Sequence, residues 1–354
     1  VSHNGITYTV NCIGYRTFAF DENYCYYAFE EKDMGRVVDG CSVLETPCYI
    51  EIPASVTQIE DEAFLSCIDL CCVQLHGKVS IGKDAFKNCH SLQTILVPTD
   101  LMETYSQSLK PLHECLADCV TQIDSIFYQL DTQQKKAKVV AHYHSDEERF
   151  AQYKGHITIP STIEYNGLTY KVIAICDRVF YQSDIEEIDL PYGIESIGRD
   201  AFMYCEKLRY LDIPDTVTTI GEAAFAGCIS LRYARLSESL CLMQKELFSG
   251  CSQLQTVLLG SQIKNIGADA FSDCEQLRTI YLPESVKKIG TGAFHNCGNL
   301  QELRIPDAVH ILDMNALDYC DELSTLILGP NITGIKPIED NQYVFPTIYV
   351  PRDK

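Results

Sequence analysis

Apolar and polar positions along this chain follow two nested periods. The short one shows in the stretch Leu277 to Cys297, where Ile280 and Leu282 alternate with Thr279 and Tyr281. Alternation at a period of two predicts a short strand with one buried face. Pro283 ends it, since proline cannot donate to a neighbouring ladder, and Pro53, Pro98, Pro160, Pro191, Pro214, Pro306 and Pro351 recur at the same point. Val286 and Ile289 then supply a second buried pair on a returning segment. Gly290 follows, in a place shared by Gly82, Gly198, Gly221 and Gly267, which predicts a turn needing a permissive backbone. Ala293, Cys297 and Leu300 fall at i, i+4 and i+7, the spacing of one helix face, so a short helix is expected there. Asp84, Asp200 and Asp269 stand just before the alanine of that segment, where an acid favours a helix N-terminus.

The long period sets the architecture. Phe180, Phe202, Phe225, Phe248, Phe271 and Phe294 are 22 or 23 residues apart, and Leu317 continues the column. Three residues after most members comes a cysteine (Cys205, Cys228, Cys251, Cys274, Cys297, Cys320), and three further on a leucine. Phe64/Cys67/Leu70 and Phe86/Cys89/Leu92 obey the same rule. A fixed period of this length means one supersecondary unit per repeat, stacked so that neighbours bury each other's apolar face. The expected fold is therefore an α/β solenoid with a parallel sheet on one side and short helices on another.

The solenoid starts twice. Asn4 to Val10 (Asn-Gly-Ile-Thr-Tyr-Thr-Val) reappears as Asn166 to Val172 (Asn-Gly-Leu-Thr-Tyr-Lys-Val), each followed by a phenylalanine, Phe18 or Phe180. Residues 1–100 are read as a first array with its cap, including a degenerate coil around Cys41. Leu101, Tyr105, Leu109, Leu112, Leu116, Val120 and Ile123 come at helical spacing, so 101–125 is read as a helical linker. Residues 126–354 are read as a second array, capped by a β-hairpin of 126–130 and 138–143 together with Ile157-Thr158-Ile159. A cap is required because an end coil otherwise presents bare core and unpaired strand edges.

Charge and cysteine content narrow the chemistry. Forty-nine acidic against 28 basic residues give a formal charge of −21, which repels phosphate backbones and anionic lipid; no nucleic-acid partner is expected. No run of about 18 apolar residues is available to span a bilayer. No signal peptide is visible at Val1, though a chain beginning at the mature domain would lack one. Of the 18 cysteines, eight occupy the repeat column. In-register side chains point the same way, a poor geometry for bridging, so these are expected as free, buried thiols acting as small apolar groups. The other ten leave room for a few disulfides. His113, Cys115 and Cys119 have ligand-like spacing, but a structural zinc needs four ligands and no second pair matches. His142 and His144 share one strand face, the arrangement of an ordinary exposed strand. The acidic runs at 30–33 and 146–148 lack calcium-loop spacing. Asn331-Ile332-Thr333 is a glycosylation sequon. No phosphate-cradling loop or nucleophile elbow is present, and neither a cofactor, a metal nor an enzymatic activity is expected.

The repeat Ile-Pro-x-x-Val-x-x-Ile-Gly-x-x-Ala-Phe-x-x-Cys-x-x-Leu resembles the leucine-rich repeat of the BspA type over about 47–98 and 157–351. Glu60 in place of the turn glycine, Ser183 in place of the column cysteine and Met243 in place of the buried isoleucine depart from it. The resemblance implies a right-handed solenoid, extracellular or cell-surface placement (cytoplasm being the alternative), and adhesion to host or matrix proteins. It carries no catalytic residues.

Function is expected on the outward strand positions, because the inward ones are committed to the core. One outward column runs Asp189, Asp212, Arg235, Leu258, Tyr281, Arg304; its neighbour runs Glu187, Tyr210, Tyr233, Thr256, Thr279, Glu302. Tyrosine and arginine are enriched where proteins bind proteins. The face around Tyr210, Asp212, Tyr233, Arg235, Tyr281 and Arg304 is therefore the candidate protein-binding site, set against the ordinary β-propensity that places Tyr and Thr on exposed strands. A structural scaffold or spacer of the cell envelope, and a carbohydrate-binding module using 101–156, are the alternative functions.

Overall fold

A computed structural model describes most of residues 49–141 and all of 153–336, with short pieces at 2–3, 6–7, 12–13, 20–21, 24–25 and 347–349. The coil expected around Cys41, and the groups His113, Cys115, Cys119, His142 and His144, lie outside the described residues. The chain divides into two units, 1–132 with 140–149 and 133–139 with 150–354. Residues 126–131, expected at the start of the second array, belong to the first unit.

In the second unit the alternating pattern folds as expected. Leu211 is buried between exposed Tyr210 and Asp212, and Val257 between exposed Thr256 and Leu258. Tyr210–Asp212, Tyr233–Arg235 and Thr256–Leu258 pair in parallel, one coil to the next. Thr279–Ile280, Glu302–Arg304, Thr325–Ile327 and Thr347–Tyr349 do the same. The returning segments form a second set of ladders, such as Ser196–Ile197 with Thr219–Ile220. Gly221 sits where the chain turns out of this set. A Cβ there would lie 2.3 Å from the Arg199 backbone nitrogen, so glycine is needed for the close approach of adjacent coils.

The short helices are not formed. Among the described residues of the repeats, only Met314–Leu317 makes a 3-10 turn; the equivalent segment of the other coils is a run of tight turns. Two residues four apart take left-handed backbone, Asp200 (φ 52) and Tyr204 (φ 60) in one coil and Asp269 (φ 52) and Asp273 (φ 60) in another. A helix cannot contain them. Alternate N–H groups also point to the next coil: Asp200, Phe202 and Tyr204 donate to the carbonyls of Glu222, Ala224 and Ala226 at 3.0, 2.8 and 2.7 Å. Bonds that a helix would close on itself are given to the neighbouring coil, which tightens the stack. Asp84, Asp200 and Asp269 are consequently not helix caps; all three are left-handed, a conformation Asp tolerates better than most residues.

The interior is a ladder. Phe180, Phe202, Phe225, Phe248, Phe271 and Phe294 stack with ring centroids 4.9, 5.3, 5.7, 5.8 and 5.4 Å apart, each close to parallel with the next. The column cysteines are free, as expected, but their thiols do more than fill space. Cys228 Sγ donates to the Phe202 carbonyl and Cys251 Sγ to the Phe225 carbonyl, both at 3.2 Å. The Phe202 carbonyl also accepts the Cys205 amide at 3.1 Å, so both of its lone pairs are used across two coils.

The start of the second unit is covered by three strands. Lys136–Val139 pairs in parallel with Leu168–Ile175, and Lys154–Thr158 with Asp184–Asp189. Thr162–Tyr165 pairs antiparallel with Leu168–Ile175 across Asn166 (φ 49) and Gly167 (φ 74), the two left-handed residues of a tight hairpin turn.

The first unit repeats the plan: Tyr49–Ile52, Cys72–Leu75, Thr94–Leu96 and Leu116–Ala117 pair in parallel, and Phe64 stacks on Phe86 at 5.0 Å. Of the helical reading of 101–125, Thr104 and Tyr105 are helical, but the described residues of 116–123 are not. Leu116–Ala117 extends the ladder at the Thr94–Leu96 edge, and Val120–Ile123 pairs antiparallel with Ile126–Asp131. Open backbone donors at a sheet edge and the β-branched Val120, Thr121 and Ile123 outweigh an apolar spacing that also suits a helix.

Candidate functional site

Strand alternation turns Tyr210, Asp212, Tyr233 and Arg235 outward, and the parallel register aligns them. Tyr210, Tyr233 and Thr256 form one rung series; Asp212, Arg235 and Leu258 form the other. Successive members are about 4.8 Å apart, the spacing of adjacent strands. Tyr281 directly follows the strand Thr279–Ile280, and Arg304 ends Glu302–Arg304, both in the second group of ladders. The six residues expected as the site thus share one side of the second unit. Tyr281 is 85% exposed and Tyr210 56%, while Tyr233 and Arg235 are half-buried.

The electrostatics of the face are largely internal. Arg235 Nε meets Asp212 Oδ1 at 2.5 Å and Nη1 meets Asp215 Oδ1 at 3.0 Å. The Glu238 backbone N–H, and then Arg235, hold the Asp215 carboxyl below the usual carboxylate range. Arg304 reaches Glu284 at 3.2 Å and Asp307 at 3.4 Å. Arg209 pairs with Glu186 at 3.2 Å and Lys207 with Asp184 at 2.8 Å. Each cation spans to an acid on a neighbouring coil. Arg232 and Arg278, exposed and one residue before the tyrosine and threonine column, make no side-chain hydrogen bond or ion pair among the described residues. Exposed tyrosines and these two arginines are side chains that the ion pairs of the face do not engage.

One extension of the face escaped the sequence pattern. Lys154–Thr158 sets His156 opposite Glu187 and Thr158 opposite Asp189. His156 Nε2 lies 2.7 Å from Asp189 Oδ2, and Thr158 Oγ1 donates to the same oxygen at 3.1 Å. The alternation of Lys154, His156 and Thr158 is the signal that this strand belongs to the sheet.

The thiol column of the second unit is chemically quiet, whereas in the first unit a hydrogen bond with Cys67 draws the Cys89 thiol down from its ordinary range. Burial pushes the thiols of Cys205, Cys228, Cys251, Cys274 and Cys297 well up or up from their ordinary range, and that of Cys320 up to about 12. A nucleophilic cysteine needs the opposite shift. Among the described residues, no three His, Cys, Asp or Glu side chains are grouped to hold a metal ion.

Comparison with known proteins agrees with this anatomy. Six copies of the model described as "BspA type Leucine rich repeat region" match residues 40–127, 173–289 and 245–339. Solved structures similar to the chain include a leucine rich repeat protein of T. pallidum, 26% identical over 61% of this chain and 85% of that one, with a TM-score of 0.39. A leucine-rich repeat protein of Eubacterium ventriosum is 16% identical over 84% and 85%, TM-score 0.43. A leucine rich cell surface protein of Faecalibacterium prausnitzii is 19% identical over 95% and 85%, TM-score 0.33. None of the curated proteins matches. With its repeat matched across both units and its coils stacked in parallel register, the chain belongs to the BspA type leucine-rich repeat family.

Proposed function

We propose that this chain is a non-enzymatic binding protein that recognises a protein partner with the outward sheet face of its second unit, around Tyr210, Asp212, Tyr233, Arg235, Tyr281 and Arg304. The observation that carries the reading is the register: exposed Tyr210 and half-buried Tyr233 stand side by side on successive rungs, over a core that needs neither ring. Large, amphipathic tyrosines held on rigid strands contribute contact area at low entropic cost, the property of interface anchors. Family membership favours placement at the cell surface or outside the cell, and adhesion to host or matrix proteins. No helix among the described residues is long and apolar enough to cross a membrane.

The test is a panel of purified extracellular-matrix proteins presented to the chain and to the triple variant Tyr210→Ser/Tyr233→Ser/Tyr281→Ser. The expected result is at least one saturable interaction, weakened more than tenfold in the triple variant with an unchanged denaturation midpoint. Binding that survives the triple substitution retires the sheet face, and a panel with no saturable interaction favours a structural spacer.

A further inference from the structure

On the flank of the second unit, where the turns run into the sheet, a shallow depression of about 360 Å³ is lined by Gln182, Ser183, Asp184, Tyr204 and Glu206. It lies outside the six residues of the sheet-face reading, and stands or falls without them.

Its form follows from one column of the repeat. Tyr204 occupies a left-handed position (φ 60) that the next two coils give to Gly227 (φ 69) and Gly250 (φ 73). Left-handed backbone is unfavourable for a bulky residue and free for glycine. The Tyr204 ring lies down over Gly227: a Cβ added to Gly227 would be 2.3 Å from the ring. That glycine makes the room the ring needs. The ring's neighbour on the preceding coil, Tyr181, meets it edge-on at 5.9 Å, leaving Tyr204 40% exposed.

The charged groups lining the depression beside the ring are acceptors. Asp184 and Glu206 bring two carboxylates and Gln182 an amide. Lys207 Nζ meets Asp184 Oδ2 at 2.8 Å, whereas Glu206 forms no ion pair among the described residues. Next to the depression the fold already holds a cation by the same means. Arg178 sits over the Tyr181 ring at 5.6 Å and donates through Nε to Asp200 Oδ2 at 3.1 Å. A ring below and a carboxylate from the adjacent coil hold that guanidinium, and Tyr204 with Glu206 and Asp184 presents the same pair of groups to solvent.

We propose that this depression takes a cationic side chain, lysine or arginine, presented by a protein partner. A cation over a tyrosine face gains attraction from the ring quadrupole. A carboxylate beside it supplies charge-assisted hydrogen bonds. The net charge of −21 brings basic partners toward the chain at long range, and the depression selects among them at contact.

The experiment separates local recognition from that diffuse attraction. The probe is a terminally blocked hexalysine peptide, titrated calorimetrically at physiological ionic strength, with its side-chain-acetylated form and cellobiose as comparison ligands. Tyr204→Gly leaves the net charge unaltered and installs the residue found at 227 and 250, so the backbone tolerates it. It should weaken hexalysine about tenfold, the scale of a desolvated cation–aromatic contact. Glu206→Gln should do the same, and Glu322→Gln, an equal charge change several coils away, should not. Affinity indifferent to Tyr204→Gly, or equally reduced by Glu206→Gln and Glu322→Gln, overturns the proposal in favour of diffuse attraction. Cellobiose binding that Tyr204→Gly abolishes, with hexalysine unaffected, overturns it in favour of a saccharide. Hexalysine affinity should not change in the Tyr210/Tyr233/Tyr281 triple variant, so this site and the sheet face fail separately.

Discussion

The inside and the outside of the same strands follow opposite rules. Along the interior, five consecutive coils repeat phenylalanine and cysteine with no substitution, from Phe202/Cys205 to Phe294/Cys297. Along the outward face identity never extends beyond two neighbouring rungs, as at Tyr210/Tyr233, Thr256/Thr279 and Thr325/Thr347, and the residue type then changes. One backbone carries both. Each ring inside must stack on the ring of the next coil and each thiol must reach the phenylalanine carbonyl of the preceding coil, so a change in one coil is felt in its neighbours. A side chain outside meets water and can vary coil by coil. Repetition therefore marks where the stack is built, and variation marks where it can be read by a partner.

The largest expected break in that contrast is collective. The column thiols of the second unit have folded-state pKa values above their unfolded ones, so their contribution to stability is complete below the unfolded value and is lost as pH rises toward the folded value, about 12 for Cys320. Between pH 8.5 and 9.5 each buried thiol should cost about 1 kcal/mol, because only the unfolded chain can ionise it. The urea midpoint of the second unit should fall steeply over that interval; a flat profile would mean the thiols are not buried in solution. Next comes a single rung. Phe225→Ala, between rings 5.3 and 5.7 Å away, should remove about 3–5 kcal/mol by leaving a cavity the stack cannot close, and a loss under about 1 kcal/mol in equilibrium unfolding would show the ladder to be loose.

Glycine substitution sharpens the contrast at smaller scale. Gly221→Ala forces a Cβ against the Arg199 backbone and should destabilise by about 1–3 kcal/mol. Gly298→Ala, with nothing within 4 Å of the new Cβ, should change stability by less than about 0.5 kcal/mol. Equal effects on the thermal midpoint would contradict the close coil-to-coil approach at position 221. Smallest of all on stability, and largest on binding, is the face itself: each of Tyr210→Ser and Tyr281→Ser should shift the midpoint by no more than about 0.5 kcal/mol.

Much of this was legible beforehand. The 22- or 23-residue column placed every ring of the ladder, and alternation placed Tyr210, Tyr233, Arg235 and Arg304 on the outward side. What misled was the spacing of Ala293, Cys297 and Leu300, which suits a helix face equally well as successive turns that each drop one residue into the core. The choice between them rests on where the backbone N–H groups of that segment go, and the next coil takes them. The same blindness applied at 116–123, where a sheet edge recruited apolar residues with helical spacing. Nor did residue type reveal that Arg235 and Arg304 are held by acids on their own surface while, among the described residues, Arg232 and Arg278 are not. Residue type does not distinguish Tyr204 from other surface tyrosines; the glycine at 227 beneath its ring does.

The amino-acid order by itself determined the period, the buried ladder and the side of the strand each residue takes, because these depend on spacing along one chain and on how apolar each side chain is. Only the tertiary structure decided the turns in place of helices, the bonds from thiol to carbonyl, the pairing of the arginines and the depression beside Tyr204. Each of those needs a partner one coil away, and hydrogen bonds and ion pairs form between groups that stacking, not sequence adjacency, brings within reach.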